Sequence, residues 1–279
     1  MLQLNQFYIC EAVNFMKENI PDNFVDLTVT SPPYDNLRTY KGFIFDYKSM
    51  LKELYRVTKN GGVLVWITGD ATINGSETLT SFRHALYAKE IGFNVHDTMI
   101  YQKDSCQFPE INRYYPSFEY MFIFSKGKPK TTNLIADKPN RRYGKKVVSS
   151  TQRQPDGTTI KMSANKTNPN RQVKEFGVRT NVWLYSPGYM KSTKDKIAYK
   201  HPAQFPEQLA QDHIISWSNE GDIVLDPMCG SGTTCKMAWL NKRNFIGIDI
   251  SEEYINDICK PRLKMYGWDE NNSNNKLLK

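Results

Sequence analysis

The stretch "DIVLDPMCGSGTTCKMA" (222–238) holds the residues best suited to a charged small molecule. An apolar run ends on Asp226, a turn containing Gly230 and Gly232 follows, and a helical pattern begins near Thr233. Glycine lets a backbone approach a ligand closely, and a helix start favours a carboxylate or phosphate. Asp249 closes the next apolar run, "NFIGIDIS", 23 positions after Asp226. A carboxylate at the carboxyl end of an adjacent strand can accept hydrogen bonds from ribose hydroxyls, so the two motifs together call for a nucleoside-containing cofactor. The turn matches neither G-x-G-x-x-G nor G-x-x-x-x-G-K-[ST], the dinucleotide and NTP fingerprints. A second stretch, "TSPPYDNLRTY" (30–40), follows the strand-like "VDLTVT". Proline cannot donate to a sheet ladder and fixes φ, so the strand must stop at Pro32-Pro33, on a rigid Ser-Pro-Pro-Tyr.

The elements around these motifs alternate. "FVDLTVT" (24–30) predicts a strand, and "FDYKSMLKELYRVTKNGG" (45–62) a helix with Asp46 as N-cap and Gly61-Gly62 as its stop. "VLVWIT" (63–68) predicts a strand covered on both faces, 81–93 a helix, and "NVHDTMIYQ" and "FEYMFIFS" two more strands. Further on, 205–218 predicts a helix with Pro206 near its start, and "DIVLDP" and "NFIGIDIS" are strands around the helical "TTCKMAWLNK". Strand, helix, strand alternation implies an open, mostly parallel α/β sheet.

Composition narrows the partners. The 279 residues are 39% hydrophobic, enough for a full core, and no apolar run approaches the roughly 20 residues needed to cross a bilayer. The five cysteines (Cys10, Cys106, Cys229, Cys235, Cys259) are scattered without a Cys-x-x-Cys pair, which argues against a disulfide framework or zinc site and fits a reducing cytoplasm. His84, His96, His201 and His213 share no metal-ligand spacing. Net charge is +8, but residues 126–200 hold 18 Lys and Arg against 4 Asp and Glu. The excess basicity lies in that one segment, and clustered cations of this kind suit a polyanion.

"TSPPY" together with "LDPMCGSGTT" resembles the S-adenosylmethionine-dependent amino-methyltransferases of DNA, the restriction-modification type that methylates an exocyclic nitrogen. "KHPAQFP" (200–206) resembles their cofactor-covering segment, "GIDISEEY" (247–254) their ribose-binding strand and "FEYMFIFSKG" (118–127) their late sheet strand. The order, with the catalytic motif first, a variable basic segment in the middle and the cofactor loop last, is similar to the circularly permuted β group. The resemblance implies a Rossmann-like methyltransferase fold with a catalytic half at 1–125, a target-recognition region at 126–199 and a cofactor-binding half at 200–279. It also implies S-adenosylmethionine as cofactor, double-stranded DNA as partner, no metal, and it admits a cognate restriction endonuclease and a homodimer.

Residue by residue, the resemblance makes Ser31, Pro32, Pro33 and Tyr34 catalytic. The Ser31 hydroxyl and Pro32 carbonyl would accept from the target amino group, and Tyr34 would stack on a flipped base while Pro33 stiffens the loop. The cofactor set is His201, Pro202, Phe205, Pro206, Asp226, Pro227, Met228, Cys229, Gly230, Ser231, Gly232, Thr233, Asp249 and Ser251. Arg38, Tyr40, Arg141, Arg142, Lys145 and Lys146 are the expected DNA contacts. Glu11 stands where the family places Asp, and Asp70 either touches a ligand or caps the next turn. Cys229 lacks the Pro-Cys context of a cytosine-C5 nucleophile. Family members with Ser ahead of Pro-Pro-Tyr mostly methylate cytosine N4, and those with Asp or Asn mostly adenine N6, so Ser31 favours cytosine. An RNA or protein-glutamine methyltransferase and a binding module without catalysis are the other readings, and the intact Ser31 to Tyr34 argues against the last.

Overall fold

The computed structural model describes residues 2–33, 45–105, 111–147, 150–162 and 171–271. Its strands are β1 (Gln6–Ile9), β2 (Val25–Thr30), β3 (Thr58–Thr68), β4 (Asn94–Lys103), β5 (Phe118–Ser125), β6 (Ser150–Arg153), β7 (Thr159–Met162), β8 (Val182–Tyr185), β9 (Ile223–Asp226) and β10 (Asn244–Asp249), besides two two-residue pairings. The main helices are α1 (Ala12–Asn19), α2 (Tyr47–Val57), α3 (Thr80–Glu90), α4 (Glu207–Trp217) and α5 (Thr233–Leu240). A helical run follows as α6 (Glu252–Tyr254), a π turn (Ile255–Cys259) and α7 (Lys260–Lys264).

Eight strands form one sheet in the order β1-β10-β9-β2-β3-β5-β4-β8, and every neighbouring pair is parallel except the two made by β5. This is the mostly parallel α/β sheet expected from the alternation. Parallel pairing puts the carboxyl ends of β2, β3, β9 and β10 on one edge, where such sheets bind ligands. β3 is buried on both faces: Leu64 and Trp66 join the core cluster with α1, α2 and α3, while Val63, Val65 and Ile67, on the opposite face, are equally buried. Asp46 caps α2 as expected, accepting from the Lys48 and Ser49 N–H groups. The helix ends earlier than the glycine pair suggested. Thr58 leaves the helix in extended conformation, and Gly61 and Gly62 already belong to β3.

The chain divides into two compact units, 1–133 with 181–279, and 134–180. The second unit is narrower than the 126–199 segment. β8, whose "VWLY" alternates exposed and buried, pairs with β4 at the sheet edge and belongs to the first unit. Its alternation is only four residues long, and the surrounding basic sequence hid it. Within the second unit, β6 and β7 make an antiparallel hairpin, and Arg179 holds Asp137 through bonds of 2.8, 2.9 and 2.5 Å. No helix among the described residues is long and apolar enough to cross a membrane.

Candidate active site

The end of β2 carries Thr30 and, directly after it, Ser31 and the buried Pro32. Two hydrogen bonds stitch this strand end to the glycine turn. The Thr30 hydroxyl donates to Asp226 Oδ1 at 2.8 Å, and the Thr234 hydroxyl donates to the Val29 carbonyl at 3.0 Å, both fully buried. Roughly 200 residues separate the partners in sequence, yet the bonds fix Ser31 beside the turn. Tyr34, Arg38 and Tyr40 lie outside the described residues.

The turn folds around its own backbone. Gly230 (φ +50) and Gly232 (φ +75) adopt the left-handed conformation that side chains resist. Asp249 Oδ2 accepts from the Gly230 N–H at 2.8 Å and Oδ1 from the Ser251 N–H at 2.9 Å, and Asp226 Oδ1 also accepts from the Met228 N–H. Gly232 caps α5 without a side-chain acceptor, which leaves the first-turn N–H groups to another partner. Burial pushes the Asp226 carboxyl up to about 7, and burial likewise raises Asp249.

His201 brings the "KHPAQFP" segment over this turn. A Cβ on Gly230 would meet His201 Nε2 at 2.8 Å, and the imidazole packs edge-on against Tyr254 with 4.5 Å between ring centroids. Pro206 is the N-cap of α4, and Pro202 is exposed. Other predicted residues are engaged elsewhere. The Ser251 hydroxyl accepts from the Tyr254 N–H as a helix cap, and the Ser231 and Thr233 side chains, each 3% exposed, face the protein interior. Burial raises the Cys229 thiol well above its ordinary value, the opposite of an activated nucleophile. Asp70 takes the capping alternative, with Oδ1 accepting from the Ser81 N–H at 2.8 Å and Oδ2 from its hydroxyl at 2.5 Å. Glu11 caps α1 through the Val13 and Asn14 N–H groups. Arg141, Arg142, Lys145 and Lys146 are exposed in the second unit.

A buried ion cluster behind the turn escaped the sequence reading. Arg262, fully buried, donates Nε to Asp195 Oδ2 at 2.7 Å, Nη2 to Glu207 Oε1 at 2.5 Å, and Nη1 to the Ser231 carbonyl at 2.8 Å and the Thr233 hydroxyl at 3.1 Å. Lys236 Nζ donates to the same two carboxylates at 2.7 and 2.6 Å, and the Tyr266 hydroxyl donates to Asp195 Oδ1. Burial alone would raise the Asp195 carboxyl, but the bonds from Arg262, Lys236 and Tyr266 outweigh it and hold the group down at about 2. Asp195 and Glu207 flank the covering segment, so one cluster pins both it and the glycine turn. The available signal was Lys236, a cation in the otherwise uncharged helix "TTCKMAWL".

The sequence profile of the N6/N4 methyltransferase family, a family of DNA methylases, matches residues 25–260. The chain belongs to this family. This methylase is similar to the orphan methyltransferase M.BamHII of Bacillus amyloliquefaciens, at 62% identity over 252 residues, which cover 90% of this chain and 93% of that one. Among solved structures, the PvuII DNA methyltransferase (cytosine-N4-specific) superposes with a TM-score of 0.66 at 19% identity, over 96% of this chain and 88% of that chain. The M1.HpyAVI–SAM complex superposes with a TM-score of 0.57 at 23% identity, over 92% of this chain and 98% of that chain. At these identities the two structures establish a shared fold.

The methylase's residues fit the cofactor of that last complex. S-adenosylmethionine offers an ammonium group, two ribose hydroxyls and an adenine amine as donors, and a carboxylate as acceptor. The site offers the Asp226 and Asp249 carboxyls, the start of α5 with no side-chain cap, and Gln204 Oε1 in the covering segment, a buried amide oxygen without a hydrogen-bond partner among the described residues. Buried carboxyls with raised pKa and an orphaned acceptor are what a donor-rich ligand would satisfy.

Proposed function

We propose that this methylase transfers a methyl group from S-adenosylmethionine to N4 of a cytosine flipped out of double-stranded DNA. The observation that carries the reading is Ser31 at the carboxyl end of β2, one residue from the Thr30 to Asp226 bond that ties it to the glycine turn. An exocyclic amino nitrogen is a poor nucleophile because its lone pair is delocalised into the ring. The Ser31 hydroxyl oxygen and the Pro32 carbonyl accept its two N–H groups and favour the tetrahedral nitrogen whose lone pair can attack. The bound cofactor supplies a methyl group activated by a sulfonium. As the C–N bond forms, the methyl's bond to sulfur breaks and its electron pair stays on sulfur as a neutral thioether, and the nitrogen releases one proton through these acceptors to solvent. Pro32 and Pro33 keep the acceptors from relaxing.

In the same reading, Asp249 would accept from the cofactor's ribose hydroxyls, the start of α5 would hold its carboxylate and Asp226 would offset its ammonium charge. His201, Gln204 and Phe205 would cover it. Methyl transfer from labelled cofactor to DNA, followed by hydrolysis to nucleosides and mass spectrometry, tests the assignment. N4-methyl-2′-deoxycytidine is the expected product. N6-methyl-2′-deoxyadenosine in its place would move the target atom to adenine, the other chemistry of the family, and label in RNA or protein alone would overturn the substrate.

Asp226→Asn separates binding from stability. Without cofactor, native Asp226 keeps its proton up to about pH 7, whereas the unfolded chain releases it near the ordinary value of 3.8. The folded state therefore binds more protons between these values, and stability falls as pH rises from about 4 to about 7. At about 1.4 kcal/mol per pKa unit, the amide should stabilise the cofactor-free protein by about 4 kcal/mol at pH 8. It should also weaken S-adenosylmethionine binding, because the ammonium loses its counter-charge. Thermal melts at pH 5 and pH 8, with and without cofactor, check both signs.

A further inference from the structure

The β6–β7 hairpin has a well-defined closing loop yet leaves residues 151–153 and 155–162 exposed. Gln154 and Thr158 close a three-residue loop of Pro155, Asp156 and Gly157: the Gln154 N–H donates to the Thr158 carbonyl at 2.7 Å and the Gly157 N–H to the Gln154 carbonyl at 2.9 Å. Gly157 takes φ +84, and Asp156 Oδ1 accepts from both the Thr158 N–H and its hydroxyl. Such a loop fixes the strand register. Gln152, Arg153 and residues 155–162 are nonetheless exposed. An isolated two-stranded ribbon is marginal in water, so this one presents side chains rather than supports a core.

The register sorts those side chains into two faces. Arg153 pairs with Thr159 and Thr151 with Lys161, so these four share one face, and Gln152, Ile160 and Met162 share the other. Arg153 and Lys161 stand diagonally across the ladder, with no carboxylate on their face. Two like charges about 7–8 Å apart are unfavourable until an anion meets them. Neither has a side-chain hydrogen bond or ion pair among the described residues, whereas Arg179 of the same unit is taken up by Asp137.

From this register we infer that Thr151, Arg153, Thr159 and Lys161 form the base-reading face of the methylase, entering the major groove of duplex DNA. The inference rests on the proposed DNA substrate. A major groove about 12 Å wide admits a two-stranded ribbon. Arg and Lys donors match guanine O6 and N7, and threonine offers a hydroxyl to either base pair and a methyl to thymine. The recognised sequence therefore contains guanine opposite Arg153. Arg141 and Arg142 lie on a polar turn and Lys145 and Lys146 follow it, Lys146 in a single bridge to Gln172, and these four exposed cations are left for phosphate contacts.

The test uses the full chain with S-adenosylmethionine and a randomised duplex library read by modification-sensitive sequencing, with DNA affinity measured across a salt series. Arg153→Ala should relax the preference at one base position and lower kcat/KM on the wild-type site about 5- to 150-fold. Arg153→Lys keeps the charge but not the bidentate fork, so it should relax the same position with an unchanged salt slope. Replacing Arg141, Arg142, Lys145 and Lys146 by alanine should instead keep the sequence preference and flatten the log–log salt slope by about 0.9 per lost contact. If Arg153→Ala and Lys161→Ala weaken binding equally on all sequences, the hairpin touches phosphates only and the inference fails while the methylase reading stands. If the wild-type chain modifies no DNA, the functional reading itself falls.

Discussion

Ser31→Ala is expected to lower kcat roughly 10²- to 10³-fold while leaving S-adenosylmethionine affinity within about twofold, the size of effect seen when one preorganised hydrogen-bonding group is removed from a transition state. The split follows from geometry. Ser31 lies beyond the last residue of β2, and bonds of Thr30, Val29 and Asp249 organise the cofactor turn. Losing the hydroxyl should therefore leave the turn in place and remove one acceptor from the attacking nitrogen. Single-turnover kinetics on duplex DNA, paired with calorimetric titration of the cofactor, would read the two quantities separately. A loss of cofactor affinity as large as the loss of kcat would mean that Ser31 acts through the turn and not on the base.

Arg262→Met should destabilise the fold by about 3–5 kcal/mol, because it strands the buried Asp195 and the Glu207 carboxylate with one cation between them. At a few degrees per kcal/mol for a chain of this size, the melting point should fall by roughly 10 °C. Cofactor affinity should fall too, since the Ser231 carbonyl and Thr233 hydroxyl lose their donor. The cluster also sets an acid limit. Asp195 is held at about 2, so its contribution is complete above about pH 4 and disappears as pH falls toward 2. Arg262→Met should flatten that acid limb of the stability curve, and denaturant unfolding at pH 3 and pH 7 would show it.

Much of this arrangement was legible in the residues because short-range rules governed it. Val25 to Thr30 reads as a strand from its β-branched apolar content, Pro32-Pro33 marks where it stops, and Gly230, Gly232 and Asp249 sit where a βα turn and the next strand end require them. The misses have long-range causes. Nothing local to Arg262 says that Asp195, 67 residues earlier, will meet it, or that Glu207 will share both cations. Asp70 fits a ligand contact or a cap equally well until Ser81 is placed beside it. The basic segment lacks apolar periodicity because its hairpin covers no core, and only the pairing of Thr151 with Lys161 and Arg153 with Thr159 shows which side chains share a face.

The sheet order has a further meaning during synthesis. β1 pairs with β10 and nothing else, and β2 is joined to β1 only through β9 and β10. A ribosome releases the first 200 residues before either bridging strand exists, so the nascent chain carries two unsatisfied strand edges, one of them leading directly into Ser31. Local helices form early, but this ladder closes only when residues 223–249 emerge, an ordering that loop-closure entropy makes slow and that leaves exposed edges as an aggregation hazard. The same arrangement guards against partial activity: a chain truncated before β9 lacks the glycine turn and the strand that seats β2 beside it, so a fragment carrying the catalytic motif has no assembled active site.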